Sequence, residues 1–457
     1  MQKSSLSTPR GQALVLIALA AIALFALAAL AIDGSAVFSD RRHSQNASDT
    51  SALAAALAIA RGKSTVEWKL IGEQRAASNG YDASNGITEV YVHLCSDHSV
   101  VSGEGITLTC QGLPTGAKED EYVHVYIKSV VKLNFARIIG WKQVINHTDA
   151  VARATPPKVV PWYKGNAIVS TMLTCKNEAG WPHDPFTVTG HSGTTVVSSG
   201  IFVNADCPNS YDQGGSSQVK TDKGVCVVDS AQYTNTVPIP TTGCDQIDPN
   251  QYTLLTTPTC STKGDIQEVS SKNYVASPGY YDKPFPDKSP SGALKLQRGI
   301  YCFNDGISIN SGWDITTDLN GDGPSSDEGV FFYVPSGAVT FNGGSHINIQ
   351  AINTPYAGFD STYLNYLIYL PPTNTSTVTI TGSNGSSFTG TILAPASHIK
   401  LSGGNTTSGG VDDGQVTIDA QIIGFTTEIA GNGTLDIIYT QSKNGVTTTK
   451  PSLSQTE

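Results

Sequence analysis

Charge is scarce in this chain of 457 residues: Asp, Glu, Lys and Arg make up 14% of it, against about 25% in an ordinary soluble protein. The shortage is sharpest between Arg10 and Asp33, which enclose no charged residue. Arginine nearly vanishes after Arg153, where Arg298 stands alone, and the net charge is -10. With no basic stripe to neutralise phosphates, the composition argues against nucleic acid as a partner. Cysteine is missing before residue 95 and no CxxC spacing occurs, which disfavours zinc and redox sites. Glycine-rich phosphate loops, Ser/His/Asp constellations and nucleotide fingerprints are missing too.

The uncharged run, residues 12–32, rises about 1.5 Å per helical residue and so spans roughly the 30 Å of a bilayer core. It reads as one transmembrane helix, with anchoring positions Gln12, Leu14, Leu16, Leu19, Leu24, Leu27 and Ile32. Lys3 and Arg10 precede it, which makes residues 1–11 a cytoplasmic stub and sends the rest across the membrane. The rival reading is a cleaved signal peptide, since Ala29-Leu30-Ala31 has the small-x-small form. Against that, the run exceeds the roughly 7–15 residues of a signal h-region and continues as helix.

The continuation, residues 33–61, has no proline and is rich in alanine (Ala52, Ala54, Ala55, Ala56, Ala58 and Ala60). Small side chains combine helix propensity with close approach to a packing partner. Gly11-Gln12-Ala13-Leu14, Asp33-Gly34, Arg41-Arg42, Gln45-Asn46, Asp49 and Ala52–Ala56 together resemble the N-terminal region of TadG-like proteins of the tight-adherence (Flp) pilus system. The pattern departs from the family at Ser44 and at Thr50-Ser51. Leu16 stands five residues after Gly11, where a processed major pilin has Glu, so a retained anchor is expected. The resemblance implies pilus-apparatus subunits as partners, with Arg41, Arg42, Gln45, Asn46 and Asp49 as contact residues.

Further along, helix is expected past Gly62 to Asn79-Gly80, followed by strands at 88–94, 106–110 and 122–131. A turn at 138–140 leads to a strand ending at Arg153. One long helix followed by a small sheet is a pilin-like α+β layout, assigned to residues 33–153. Pro156, Pro157 and Pro161 mark a hinge over 154–163. From 164 to 442, short β-branched runs between Gly, Asn, Ser and Asp turns predict a right-handed parallel β-helix, with a β-sandwich as the alternative. The fold class is thus mainly β, and residues 443–457 read as a disordered tail. All eight cysteines fall on the translocated side, which favours disulfides. Among the 105 connectivities eight cysteines permit, neighbour pairing is expected: Cys95 with Cys110, Cys175 with Cys207, Cys226 with Cys244, Cys260 with Cys302.

Asp318, Asn320 and Asp322, followed by Gly323, place oxygen side chains at alternate positions as a calcium loop does. Its twelfth position is Gly329 rather than an acid, and Glu328 falls one short, so a solvated acidic turn competes with calcium. His93, Cys95, Asp97 and His98 fit a disulfide-closed loop with exposed histidines better than a metal site. Asp412, Asp413 and Asp419 could serve a membrane-tethered polysaccharide-degrading β-helix enzyme, but no basic residue is near them. Thr377, Thr379 and Thr381 could belong to an ice- or carbohydrate-binding face. The reading that absorbs most of these features is a non-enzymatic, membrane-anchored TadG-like pilus-assembly or surface-adhesion protein. Its expected partners are the lipid bilayer, other pilus subunits and a surface receptor or glycan; no cofactor is expected beyond the possible calcium.

Overall fold

Gln12–Ala60 form one continuous α-helix, α1, in the computed structural model. The structure describes residues 12–175, 184–190, 193–288, 291–321, 323, 325–342, 344–381, 385–403, 416–430 and 433–456. The polar step at Asp33-Gly34-Ser35 does not interrupt the helix: the Ser35 hydroxyl donates to the Ile32 carbonyl at 2.8 Å, inside the same turn. From Leu14 to Ile32 the helix is apolar all round and its large side chains are exposed, Phe25 at 76%. A helix with no polar face suits hydrocarbon rather than water, and this one is long and apolar enough to cross a membrane.

Past Asp33 the burial becomes one-sided. Ala47, Ser48, Ser51, Ala52, Ala55 and Ala56 are fully buried at helical spacing. They pack on Val123, Val125, Ile127, Ala150, Ala152 and Ala154 of a sheet. That sheet is antiparallel and ordered β1 (Glu89–Leu94), β2 (Tyr122–Lys132), β3 (Gln143–Thr155), then Ser452–Thr456. The helix does not run on past Gly62 as expected. Gly62 takes φ 75°, and a second helix, α2 (Thr65–Ser78), starts behind Ser64. Ser64 and Glu67 form a reciprocal capping box, with Glu67 Oε2 accepting the Ser64 N–H at 3.0 Å. Gly72 lets α2 approach closely, since a Cβ there would lie 2.9 Å from Val92 Cγ1 and 3.3 Å from Ala55 Cβ.

Three further expectations are corrected in this part. Residues 106–110 form no strand; a lone bridge joins Val101 to Thr107, and only Leu108 turns inward as an apolar anchor. The segment 443–457 is not a loose tail: Val446–Thr448 pairs antiparallel with Val159–Pro161, and Ser452–Thr456 pairs with β3. The partners of both stretches come from far earlier in the chain. The proline cluster is shorter than a hinge of 154–163, because Thr155 and Val159–Pro161 are in strands. Packing divides the chain into residues 1–158 with 450–457, and residues 159–449, so the second unit is an insertion within the first.

The second unit is built from parallel ladders. One runs through Gly279–Tyr281, Gly299–Phe303, Val330–Tyr333, Tyr366–Tyr369, Thr391–Ser402 and Ile422–Ala430, then continues into Ile168–Ser170, Gly200–Val203 and Gly224–Val227. A second ladder of eleven strands follows the same order, with Leu435–Ile438 beside Thr194–Val197, and is parallel except at its far end, where Ile266–Ser270 pairs antiparallel with Asn273–Ala276. The chain therefore enters mid-stack, builds outward to residue 237, crosses to the far end near Ile266, and returns strand by strand to its point of entry. Inward residues are stacked in register: Tyr274, Leu294, Ile315 and Ile347 in one file, and Ile349, Phe388, Ile418, Ile437 and Val197 in another. All of these are buried. Each layer covers its neighbour's apolar edge, which no layer achieves alone. The structure pairs the cysteines 95–110, 175–207, 226–244 and 260–302.

Phe388→Ala removes a fully buried ring from the middle of its file. It is expected to cost about 3–5 kcal/mol, read as a lowered denaturant midpoint; a loss below about 1 kcal/mol would contradict the continuous core.

Candidate anchoring and assembly site

Where the uncharged run of α1 ends, Asp33 is buried rather than exposed. Its Oδ1 accepts the Asn134 N–H at 2.9 Å, and its Oδ2 accepts those of Phe135 at 3.0 Å and Ala136 at 2.7 Å. Burial pushes the carboxyl pKa up, but the bonds from Ala136, Asn134 and Phe135 together outweigh it and hold the carboxyl below its ordinary range. Two turns on, Asp40 Oδ2 accepts from Ser129 Oγ at 2.5 Å and from Asn146 Nδ2 at 2.7 Å, while the Tyr81 hydroxyl donates to Oδ1 at 3.1 Å. Both acids join α1 to the hairpin of β2 and β3. Neither role is signalled by the sequence, because the partners are backbone groups and side chains a hundred residues away.

Of the five residues expected to contact partners, Arg41, Arg42, Gln45 and Asn46 are exposed and Asp49 is half-buried. Gln45 is also tied down, donating to the Asp149 carbonyl at 3.0 Å and to Asp49 Oδ1 at 3.1 Å. Arg41, Arg42 and Asn46 are presented outward on α1. Leu53, Ala54 and Leu57 of α1 and Ile71 of α2 line a shallow apolar groove on the same unit. Among the anchoring residues, Leu14, Leu16, Leu19, Leu24, Leu27 and Ile32 are exposed, and the side chain of Gln12 lies outside the described residues.

His93 departs from the expected exposed loop. It is buried on β1, its Nδ1 donating to the Leu94 carbonyl at 3.0 Å and its Nε2 lying 3.0 Å from Nδ1 of His124 on β2. Burial first, then the electrostatic interaction with His124, lowers the His93 pKa. His124 Nε2 faces Asp149 Oδ2 at 3.4 Å. The register of β1 and β2 makes these histidines cross-strand neighbours, on the alternate face from Val92, Val123 and Val125, which pack with α1. His98 stays exposed and pairs with Glu119 at 3.1 Å.

The expected calcium loop closes on itself. Asp318 Oδ1 accepts the Gly321 N–H at 2.5 Å and its Oδ2 that of Gly323 at 2.9 Å, while Glu328 Oε1 accepts the Leu319 N–H at 2.8 Å. These carboxylate oxygens accept from the turn's own backbone N–H groups. Asn320 is exposed, and Asp322 lies outside the described residues. Among the described residues no group of three His, Cys, Asp or Glu side chains is arranged to hold a metal. Asp419 Oδ2 is ion-paired with Lys443 at 2.6 Å, and Asp412 and Asp413 lie outside the described residues. The outward file through Thr379 reads Ser308, Thr340, Thr379, Lys400, Glu428, Thr187, Asp212. It is mixed in charge and not a threonine array.

Residues 11–58 match the family described as putative Flp pilus-assembly TadE/G-like. No curated protein matches the chain. Among solved structures the chain is similar to the competence-associated pilin ComZ from Thermus thermophilus, at 7% identity over 81% of this chain and 87% of that one, with a TM-score of 0.24.

Glu121, at the foot of β2, accepts from Lys158 Nζ at 2.9 Å and from Arg153 Nη2 at 2.7 Å. Lys158 first, then Arg153, brings its pKa from 4.5 down to about 2. A carboxyl held low in the folded chain contributes stability above its ordinary value and loses it as pH falls through the folded one. The first unit is expected to lose this contribution between pH 4.5 and about 2. Glu121→Gln should flatten acid unfolding, followed by circular dichroism, in that window; an unchanged acid profile in the variant would contradict the assignment.

Proposed function

We propose that the chain is a membrane-anchored component of a tight-adherence pilus-assembly or surface-adhesion apparatus, non-enzymatic, with its bulk outside the membrane. The observation that carries this reading is a coincidence of boundaries. The TadE/G-like segment, residues 11–58, is the same stretch as α1, apolar on every face up to Ile32 and packed on a sheet beyond Asp33. Lys3 and Arg10 favour a cytoplasmic N-terminus. The outward Arg41, Arg42 and Asn46 and the Ala/Leu groove beside α2 offer a polar and an apolar surface for neighbouring subunits.

For residues 159–449, the reading as a parallel β-helix rests on parallel ladders sharing one strand order and on inward files that continue from layer to layer. The β-sandwich alternative would call for antiparallel sheets packed face to face. Such a stack presents a stiff, polar outer surface suited to a receptor, a glycan or a second subunit. Carboxylates spent on turn N–H groups and on Lys443 favour a binding role over hydrolysis, and the mixed file through Thr379 disfavours an ice-binding face.

Deleting the gene is expected to abolish pili or surface attachment, restored by the intact gene. The Arg41→Glu/Arg42→Glu variant should reach wild-type levels in the membrane fraction, withstand alkaline extraction, and fail to restore them. Normal pili and attachment in the deletion strain would overturn the proposal.

A further inference from the structure

The β2–β3 hairpin ends in an unusual tip. Ile138 is 87% exposed, Ile139 72% and Trp141 66%, all within four positions, and Phe135 beside them is also exposed. Single exposed apolar residues are ordinary, but a contiguous cluster marks a contact surface. Three exposed cations, Lys132, Arg137 and Lys142, surround the cluster, and no acidic residue occurs between Glu121 and Asp149.

The height of the tip is fixed by α1. Ser129 and Asn146, inside the hairpin, bond Asp40, whereas Asn134, Phe135 and Ala136, at its end, bond Asp33. Seven helical residues separate the two acids, about 10 Å along the axis. The hairpin thus runs down α1 toward the uncharged segment, and its end is clasped by the first charged residue after that segment. The 3₁₀ turn Ala136–Ile139 lies just beyond the clasp and exposes Ile138 and Ile139, with Trp141 after Gly140.

We infer that residues 135–142 form a second membrane contact, seated in the phospholipid headgroup region of the leaflet from which α1 emerges. The chemistry matches that layer: an indole with an apolar body and one donor, aliphatic side chains reaching the acyl boundary, and three cations for anionic headgroups. The inference rests on α1 spanning the bilayer, as proposed above. Its consequence is mechanical. With helix and tip both held, the soluble unit cannot swivel about α1 and takes one orientation to the membrane.

The test uses the full chain in vesicles of phosphatidylcholine and phosphatidylglycerol with brominated acyl chains, comparing wild type with Trp141→Phe so that the difference in emission belongs to Trp141. The expected result is loss of Trp141 emission to the brominated lipid, protection from aqueous iodide, and reversal of both in Ile138→Asp/Ile139→Asp. If the chain floats with the vesicles but iodide quenches Trp141 freely, the tip contact is wrong and the anchor stands. Shielding of Trp141 from both quenchers would assign the tip to another protein surface and overturn the inference. A chain that does not float with vesicles at all overturns the anchor and the tip together.

Discussion

A carboxylate taken out of water must find donors or lose its charge, and Asp33 finds three backbone N–H groups in one turn. That bond set is the constraint on which the first unit depends. It sits where the helix stops being uncharged, and it converts an apolar rod into one rigidly coupled to a sheet. Asp40 repeats the device two turns later. Beyond them the alanine face of α1 meets Val123, Val125 and Ile127 on β2 and Ala150, Ala152 and Ala154 on β3, so the helix lies close to the sheet. Acid clasps and small-residue packing support each other: either alone would leave the helix free to slide or rotate on the sheet.

The inserted unit begins and ends at neighbouring points of its own fold. The inserted unit's chain enters at Val159 and leaves at Thr449, and within that unit those two ends are paired through Val159–Pro161 and Val446–Thr448. The stacking order makes this possible, because the last layer, Ile422–Ala430, lies against the first, Ile168–Ser170. The returning chain then completes the first unit's sheet with Ser452–Thr456. Stability in the inserted unit comes from apolar files shared between neighbouring layers.

The sequence carried some of this plainly. Twenty-one uncharged residues announce their helix, and alternation in Tyr122–Val131 announces a strand. The break after α1 was also legible, since Ser64-Thr-Val-Glu67 is a capping box behind Gly62, but a continuous helical pattern across Gly62 obscured it. Other features had no local signal. The strand Ser452–Thr456 reads as polar coil because its stability comes from β3, some three hundred residues earlier. His93 looks like a loop residue until its pairing with His124 on β2 is seen. Asp318 and Glu328 have metal-loop spacing, but spacing alone does not distinguish carboxylates aimed at a cation from carboxylates capping their own turn. The exposed tip is written as Ile-Ile-Gly-Trp, apolar residues that resemble core until the β2–β3 hairpin places them at its end.

Anchor, clasp and sheet form one argument, and its most direct measurement is amide hydrogen exchange at Asn134, Phe135 and Ala136 in the wild type and in Asp33→Asn. Asparagine keeps the shape but supplies a single acceptor oxygen. The account predicts that these three amides are protected in the wild type and exchange markedly faster in the variant, with protection inside β2 retained. Equal protection in both proteins would contradict it, since the hairpin would then be held to α1 by something other than the buried carboxylate.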